Sequence, residues 1–223
     1  MGAKADPRGL RVGIMQKWSS EWYVSSQAQQ ASYFVEDMRV RAAVETTYPR
    51  AWISKVILRK NEQTWEVLVF TAKPAAILWK DWKALHDFEK KLKKLTGTEY
   101  KVTIKEVKVP ELSAKIMGEF AAIQLEGRTP HRRVAKSIIQ KVMEKGALWV
   151  KVKIGWRLWG ADISRSENFS EGRIPLQTLR SDVDYHHTTA LTKYGILGIK
   201  VWICKAENIE IAKKKVSLDK VVA

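Results

Sequence analysis

The sequence predicts an α+β chain in two consecutive units. The first is a helix–strand–strand–helix–helix–strand unit. The second is an α/β C-terminal domain, with two helices packed on a mixed or antiparallel sheet. Three observations carry this reading. Runs that alternate polar and apolar residues are interleaved with runs at helical spacing. A Val109-Pro110 step interrupts the pattern near the middle. Hydrophobic residues make up 45% of 223, enough to form packed cores in one large domain or two ordinary ones.

In chain order, residues 1–24 are basic and broken by Pro7, Gly9 and Gly13, and read as an irregular arm. Residues 25–47 permit a helix, with apolar Phe34, Val35, Met38 and Ala42. Ile53 to Arg59 alternates around Lys55, Asn61-Glu62 signals a turn, and Thr64 to Thr71 places Trp65, Val67 and Val69 on one face, which makes a hairpin. Pro74 ends the second strand. Leu85, Phe88, Leu92 and Leu95 then fall at helical spacing, with Lys90, Lys91, Lys93 and Lys94 mostly outside. Tyr100 to Val107 alternates again.

After Pro110, Leu112 to Leu125 reads as an amphipathic helix through Leu112, Ile116, Phe120 and Ile123. A second helix runs from about Pro130 to Lys145, with proline at its first turn and Gly146 as its cap. Its two faces separate at about 100° per residue. Val134, Ala135, Ile138, Ile139 and Val142 share one; Arg132, Arg133, Lys136 and Gln140 share the other. Strand-like runs at 148–154 and 196–204 are linked by a long polar section. The expected organisation is an arm at 1–24, a first domain at 25–108, a second at 109–206 and a tail at 207–223.

Composition excludes several classes. Cys204 is the only cysteine, so neither an intrachain disulfide nor a thiolate metal cluster can form, and it reads as a small buried hydrophobe. No stretch reaches 18 consecutive apolar residues, so no transmembrane helix is expected. Met1 to Arg11 lacks the apolar core of a signal peptide, and Asp6 departs from a myristoylation start. The expectation is a soluble cytoplasmic protein without a membrane partner.

Charge points to a polyanion. The chain has 40 Lys and Arg against 24 Asp and Glu, a net +16, and a pI near 9.9. Residues 1–107 carry +7 and residues 108–223 carry +9, so the excess is spread over both halves. Nucleic acid is the first partner this implies, ahead of an anionic membrane surface.

Three clusters could carry chemistry. The helix face with Arg128, Arg132, Arg133 and Lys136 suits phosphate, because each planar guanidinium makes paired hydrogen bonds. In a neutral protein it would read as a solvated face. Asp182, Asp184, His186 and His187 are close enough to suggest a metal site, but no third element of a ligand pattern supports one, and neither metal nor cofactor is expected. No serine or cysteine sits in a nucleophile elbow, so the chain reads as a non-enzyme. The third cluster is Ala76 to Lys83, between two helices of the first unit.

That first unit resembles a type II KH domain. A KH domain carries Gly-x-x-Gly at this junction, so that the backbone can approach a sugar-phosphate chain ahead of a helix N-terminus. Here the four residues are Trp79-Lys80-Asp81-Trp82, followed by Lys83. The spacing is right and the glycines are absent.

From Gly2 to about Ala206 the chain resembles the bacterial type of the small-subunit ribosomal protein three family. The resemblance rests on several segments. They are Met1-Gly2-Ala3-Lys4 with Arg11-Val12-Gly13-Ile14, Trp18-Ser19-Ser20-Glu21-Trp22, Thr71-Ala72-Lys73-Pro74 and Pro110-Glu111-Leu112. Most diagnostic is Glu171-Gly172-Arg173-Ile174-Pro175-Leu176-Gln177-Thr178-Leu179-Arg180, followed by Asp182-Val183-Asp184-Tyr185 and Tyr194 to Ile203.

The resemblance implies a structural protein of the small-subunit head. Its partners would be 16S-type ribosomal RNA, messenger RNA and neighbouring head proteins. Arg132, Arg133 and Lys136 match family positions linked to holding and unwinding incoming messenger, with Arg128 beside them. Lys4, Arg8, Arg11, Arg157, Arg165, Arg173 and Arg180 are the expected ribosomal RNA contacts. The resemblance also makes the Asp182-Asp184 pair a structural element. Two other classes stay open: a KH-type regulator acting off the ribosome, and an RNA-processing enzyme supported only by the Asp-His cluster.

One departure from the family is systematic. The chain has 10 Trp and 12 Gly, and Trp52, Trp79, Trp82, Trp149, Trp156 and Trp159 stand where the family has glycine. Trp18, Trp22 and Trp202 stand where the family itself has tryptophan. Three accounts fit: a degenerate loop with stacking tryptophans, deliberate substitution, or a gene in which UGA means glycine and is read here as tryptophan. The third covers all six sites with one cause, and would raise glycine to about 8%, against an average of about 7%.

Overall fold

The computed structural model describes residues 4–49, 51–60, 65–78, 82–173 and 175–207. The chain divides into two compact units. One is Trp18–Lys108; the other comprises the described residues of Met1–Lys17 and of Val109–Ala223.

The 18–108 unit contains β1 (Ser20–Glu21), α1 (Gln27–Thr47), β2 (Ile53–Lys60), β3 (Trp65–Thr71), α2 (Ala75–Leu78), α3 (Trp82–Thr96) and β4 (Tyr100–Glu106). Its sheet runs β1-β2-β3-β4. β2 and β3 are antiparallel, and β3 is parallel to β4. This is the predicted helix–strand–strand–helix–helix–strand order. The alternation in β3 buries Trp65, Val67 and Val69 against Leu85, Phe88 and Leu92 of α3. Leu95, expected on the same inward stripe, is 48% exposed.

α1 turns a different face inward than its most apolar residues suggest. Phe34, Val35 and Met38 are exposed, and Ala42 is exposed too, whereas Asp37, Val40, Ala43 and Val44 are buried. The physical reason is a polar knot. Asp37 accepts hydrogen bonds from the Ser20 hydroxyl, from Trp22 Nε1 at 3.2 Å and from Arg41 Nε at 2.5 Å. Arg41 also donates to the carbonyls of Val56 (2.8 Å) and Ser19 (3.1 Å). A buried carboxylate with this many donors is satisfied, and it fixes which side of α1 meets the sheet.

The second unit contains α4 (Ala114–Glu126), α5 (His131–Glu144), β5 (Trp149–Trp156), β6 (Arg165–Glu171), β7 (Ser181–Thr192) and β8 (Gly195–Glu207). The sheet order is β6-β5-β8-β7, and every pairing is antiparallel. α4 lies on β7 and β8, and α5 on β5 and β6. Val150, Val152, Ile154, Ile199, Val201 and Ile203 face the helices, and their alternation with polar residues is the signature of a half-covered sheet. On the opposite face Trp149, Val183, Trp202 and Cys204 form a smaller cluster with Leu176 and Tyr185.

Two features differ from the sequence reading. The polar section between the first and last strands is not a linker, because it contains β6 and β7. β6 is an edge strand with most of its side chains in water, so it has no apolar alternation to detect. α4 also packs through small residues. Ala114, Met117, Gly118, Ala121 and Ala122 are buried along with Ile116 and Leu125, whereas the predicted Ile123 is 58% exposed. No helix among the described residues is long and apolar enough to cross a membrane.

Candidate nucleic-acid interface

α5 separates its faces as its periodicity requires. Val134, Ala135, Ile138, Ile139 and Val142 are buried, and Arg132, Arg133, Lys136 and Gln140 are exposed. Arg128 is also exposed, in the loop ahead of the helix. It has φ 61°, and its amide N–H donates to the Leu125 carbonyl at 3.0 Å. The structure therefore places all four predicted cations on the first two turns of α5 and the loop leading into it. The first turn holds no acidic residue. A helix N-terminus already carries partial positive charge, so these side chains add to the potential instead of offsetting it. Such a surface favours an anion, and a phosphate above all.

The four cations are not equivalent. Glu167 on β6 accepts from Arg132 Nε at 3.1 Å and from its Nη2 at 3.3 Å. His131 Nε2 lies 3.0 Å from the same carboxylate, and Arg165 Nη2 lies 3.6 Å away. Hydrogen bonds from Arg132 and then His131 hold the Glu167 carboxyl below its ordinary range, and the same bond raises the Arg132 guanidinium. Arg133 and Lys136 make no ion pair with any described residue, so their charge faces solvent. Beside Lys136, α5 and β6 frame a shallow groove lined by Ile139, Gln140, Asn168, Phe169 and Glu171. Sequence reasoning missed Glu167, His131 and Phe169. Glu167 and Phe169 reach the site through the β5–β6 pairing, which has no local signal, whereas His131 opens α5 itself.

The remaining predicted RNA contacts divide. Lys4, Arg165, Arg173 and Arg180 are exposed. Arg8 is half-buried, with its Nη2 on Asp6 at 2.8 Å and its guanidinium 5.9 Å from the Tyr185 ring centre. Arg157 turns back on its own loop, donating to the Ala161 carbonyl (2.8 Å) and to Asp162 (3.2 Å). Arg11 must be corrected. It is fully buried, and its guanidinium is enclosed by main-chain carbonyls, so it presents nothing to a nucleic acid. In the other unit, Trp79, Lys80 and Asp81 lie outside the described residues, while Trp82 and Lys83 open α3.

The Asp-His cluster has a different task. Asp184 Oδ2 accepts the Ala114 N–H at 3.0 Å, at the first residue of α4, and lies 3.5 Å from Lys205 Nζ. Asp182 Oδ1 accepts from Gln16 Nε2 at 3.3 Å. The two carboxylates thus fasten α4 and the arm to β7. No group of three or more His, Cys, Asp or Glu side chains that could hold a metal occurs among the described residues.

A KH-like α+β unit, followed by a helix-covered antiparallel sheet with a cationic helix end, defines a class of basic RNA-binding proteins. Comparison with known proteins is specific. Residues 121–203 match the family described as ribosomal protein S3, C-terminal domain. Small ribosomal subunit protein uS3 of Carboxydothermus hydrogenoformans is 37% identical over 98% of this chain and 99% of that protein. The uS3 proteins of Ligilactobacillus salivarius and Enterococcus faecalis are 41% and 40% identical, each over 96% of this chain and 97% of their own length. The chain belongs to the small ribosomal subunit protein uS3 family, whose members are structural and not enzymatic.

Proposed function

We propose that this protein is a structural constituent of the small ribosomal subunit in the cytoplasm, that it binds 16S-type ribosomal RNA in the head, and that α5 holds or unwinds messenger RNA as it enters. The observation that carries this is the exposed pair Arg133 and Lys136 at the positive end of α5, with Arg132 shared between Glu167 and solvent. A cationic helix end whose local counter-charge, Glu167, is taken up by Arg132 and His131 is an expense to the unit unless an anion completes it. The groove with Phe169 and Asn168 can take a base next to those phosphates, by stacking and by an amide hydrogen bond. Lys4, Arg165, Arg173 and Arg180 are the remaining exposed candidates for phosphate contacts, and Arg8 and Arg157 are partly committed to acidic neighbours.

Small subunits reconstituted with Arg132→Ala and Arg133→Ala test the reading. The expected result is normal incorporation of the protein with impaired unwinding of structured messenger. Unimpaired unwinding would refute the role of α5. Failure of the unaltered protein to sediment with small subunits would refute the ribosomal assignment itself.

A further inference from the structure

Four non-glycine residues among those described have positive φ: Trp52 (53°), Arg128 (61°), Trp156 (131°) and Trp159 (61°). Three of the four are tryptophan, a residue that fills only 10 of 223 positions, so chance placement does not account for them. A β-carbon at positive φ crowds the adjoining carbonyls, and for a bulky side chain the conformation is a true outlier; glycine has no such restriction. Arg128 has an ordinary explanation, since it follows Gly127, the C-cap of α4, at the position where a left-handed residue commonly terminates a helix. The tryptophans have none. Trp52 precedes β2, Trp156 is the last residue of β5, and Trp159 breaks the helical geometry of a single turn at Leu158–Gly160.

Trp149 shows a second kind of misfit. Its backbone is ordinary, but the side chain is 2% exposed and its indole N–H is buried with no hydrogen-bond partner. Buried tryptophans normally find a partner for that group.

Other tryptophans behave as the residue should. Trp65 sits in an aromatic nest, with ring centres of Tyr33, Tyr100 and Trp22 at 5.2, 5.9 and 6.5 Å. Trp22 donates its indole N–H to Asp37. Trp202 packs on Tyr185 with ring centres 5.2 Å apart. None of these three has positive φ. These seven tryptophans therefore fall into two populations: Trp22, Trp65 and Trp202 pack as tryptophan does, while Trp52, Trp156 and Trp159 stand at positive φ and Trp149 buries an unpartnered indole N–H.

We infer that the cell places glycine at positions 52, 149, 156 and 159, through a UGA codon that it reads as glycine and that the printed sequence reads as tryptophan. UGA differs from the glycine codon GGA by one base, so the same glycine positions can drift to it repeatedly. Glycine at 156 and 159 turns Gly155-Trp156 and Trp159-Gly160 into glycine pairs on either side of Arg157 and Leu158. The same codon at 79 and 82 turns Trp79-Lys80-Asp81-Trp82 into Gly-x-x-Gly.

Sequencing the peptides of the protein from its source cells tests this. Trypsin releases residues 51–55, 146–151, 154–157 and 158–165, and each carries one of the four positions. The fragment 61–80 carries positions 65 and 79 together, and 201–205 carries Trp202. The expected outcome is glycine at 52, 149, 156, 159 and 79, with tryptophan at 65 and 202. In the gene, the codon at the five glycine positions is UGA and that at 65 and 202 is UGG. Tryptophan in any of the four single-site peptides, or UGG at any of their codons, overturns the inference.

Discussion

Arg11 Nε donates a hydrogen bond of 2.8 Å to the carbonyl oxygen of Ser181, 170 residues further along the chain. Its other donors reach the carbonyls of Pro7 (2.8 Å), Leu176 (3.0 Å), Thr178 (3.0 Å) and Pro175 (3.3 Å). Burial pushes the guanidinium down from its ordinary pKa. A ring of carbonyl dipoles replaces the lost hydration. The arm is thereby fixed to the 175–181 loop, and the diagnostic run from Glu171 to Arg180 owes part of its shape to a side chain in the opening segment.

Replacing Arg11 by Met keeps the volume and removes every donor. Several of these carbonyls then lose a buried donor, although those of Thr178 and Pro175 keep the Ser181 hydroxyl, and the expected loss is about 1–3 kcal/mol, the cost of leaving buried acceptors unsatisfied. Arg11→Lys recovers only part of it, because one ammonium cannot reproduce the planar fork. Urea midpoints of the three proteins check this. A midpoint for Arg11→Met equal to that of the parent would show that the clasp contributes nothing.

Glu167 gives the second unit an acid-sensitive contact. Hydrogen bonds from Arg132 and His131 hold its folded-state pKa below the ordinary 4.5. A carboxyl with a lowered folded pKa stabilises above its unfolded value, and that contribution is lost as pH falls through the folded pKa. Stability of the second unit should therefore decline below pH 4.5, and Glu167→Gln should decline less over the same interval. An identical slope of stability against pH in both proteins would show that Glu167 is not responsible.

The sequence makes the elements with regular alternation legible and conceals those at the edges. β2, β3 and β8 declare themselves because one face of each is buried. β6 and β7 do not, since Arg165, Ser166, Ser170 and Glu171 on the edge strand meet mainly water. The face of α1 is misread because a buried Asp37 and a hydrogen-bonded Arg41 look like solvent residues, while Phe34 and Met38 look like core. The cationic face of α5 is legible from its helical period alone. Its counter-ion is not, because Glu167 reaches Arg132 only through strand pairing that no local pattern encodes. Arg11 fails for the same reason: charge predicts exposure, and only the fold reveals five carbonyls around it.

The salt dependence of RNA binding separates the cations of α5. Each phosphate contact released lowers the slope of log K against log salt by about 0.7 on single-stranded RNA. Arg133→Ala and Lys136→Ala should each reduce the slope by about that amount, across unrelated sequences. Glu167→Gln should act oppositely, freeing Arg132 and steepening the slope. If Glu167→Gln left the slope unchanged while Arg132→Ala lowered it, the Arg132–Glu167 bond would not be limiting access to Arg132.

Close packing of α4 on β7 supplies a test of sign. A β-carbon at Gly118 would stand 2.5 Å from Thr188 Oγ1 and 3.4 Å from its Cβ. The Thr188 hydroxyl is itself buried without a partner. In the parent protein, Gly118→Ala gains up to about 1 kcal/mol of helix propensity and incurs overpacking of about 1–3 kcal/mol, so the net effect is destabilising. In a Thr188→Ala background Oγ1 is gone, and the β-carbon that remains at 3.4 Å is an ordinary van der Waals contact. The same Gly118→Ala change then retains its propensity gain and should stabilise by about 0.5–1 kcal/mol. The two backgrounds thus predict opposite signs for one substitution, which the difference in urea midpoints reads directly. The same sign in both would mean that α4 moves off the sheet to admit the methyl group, and that the small-residue face of α4 does not set the helix–sheet distance.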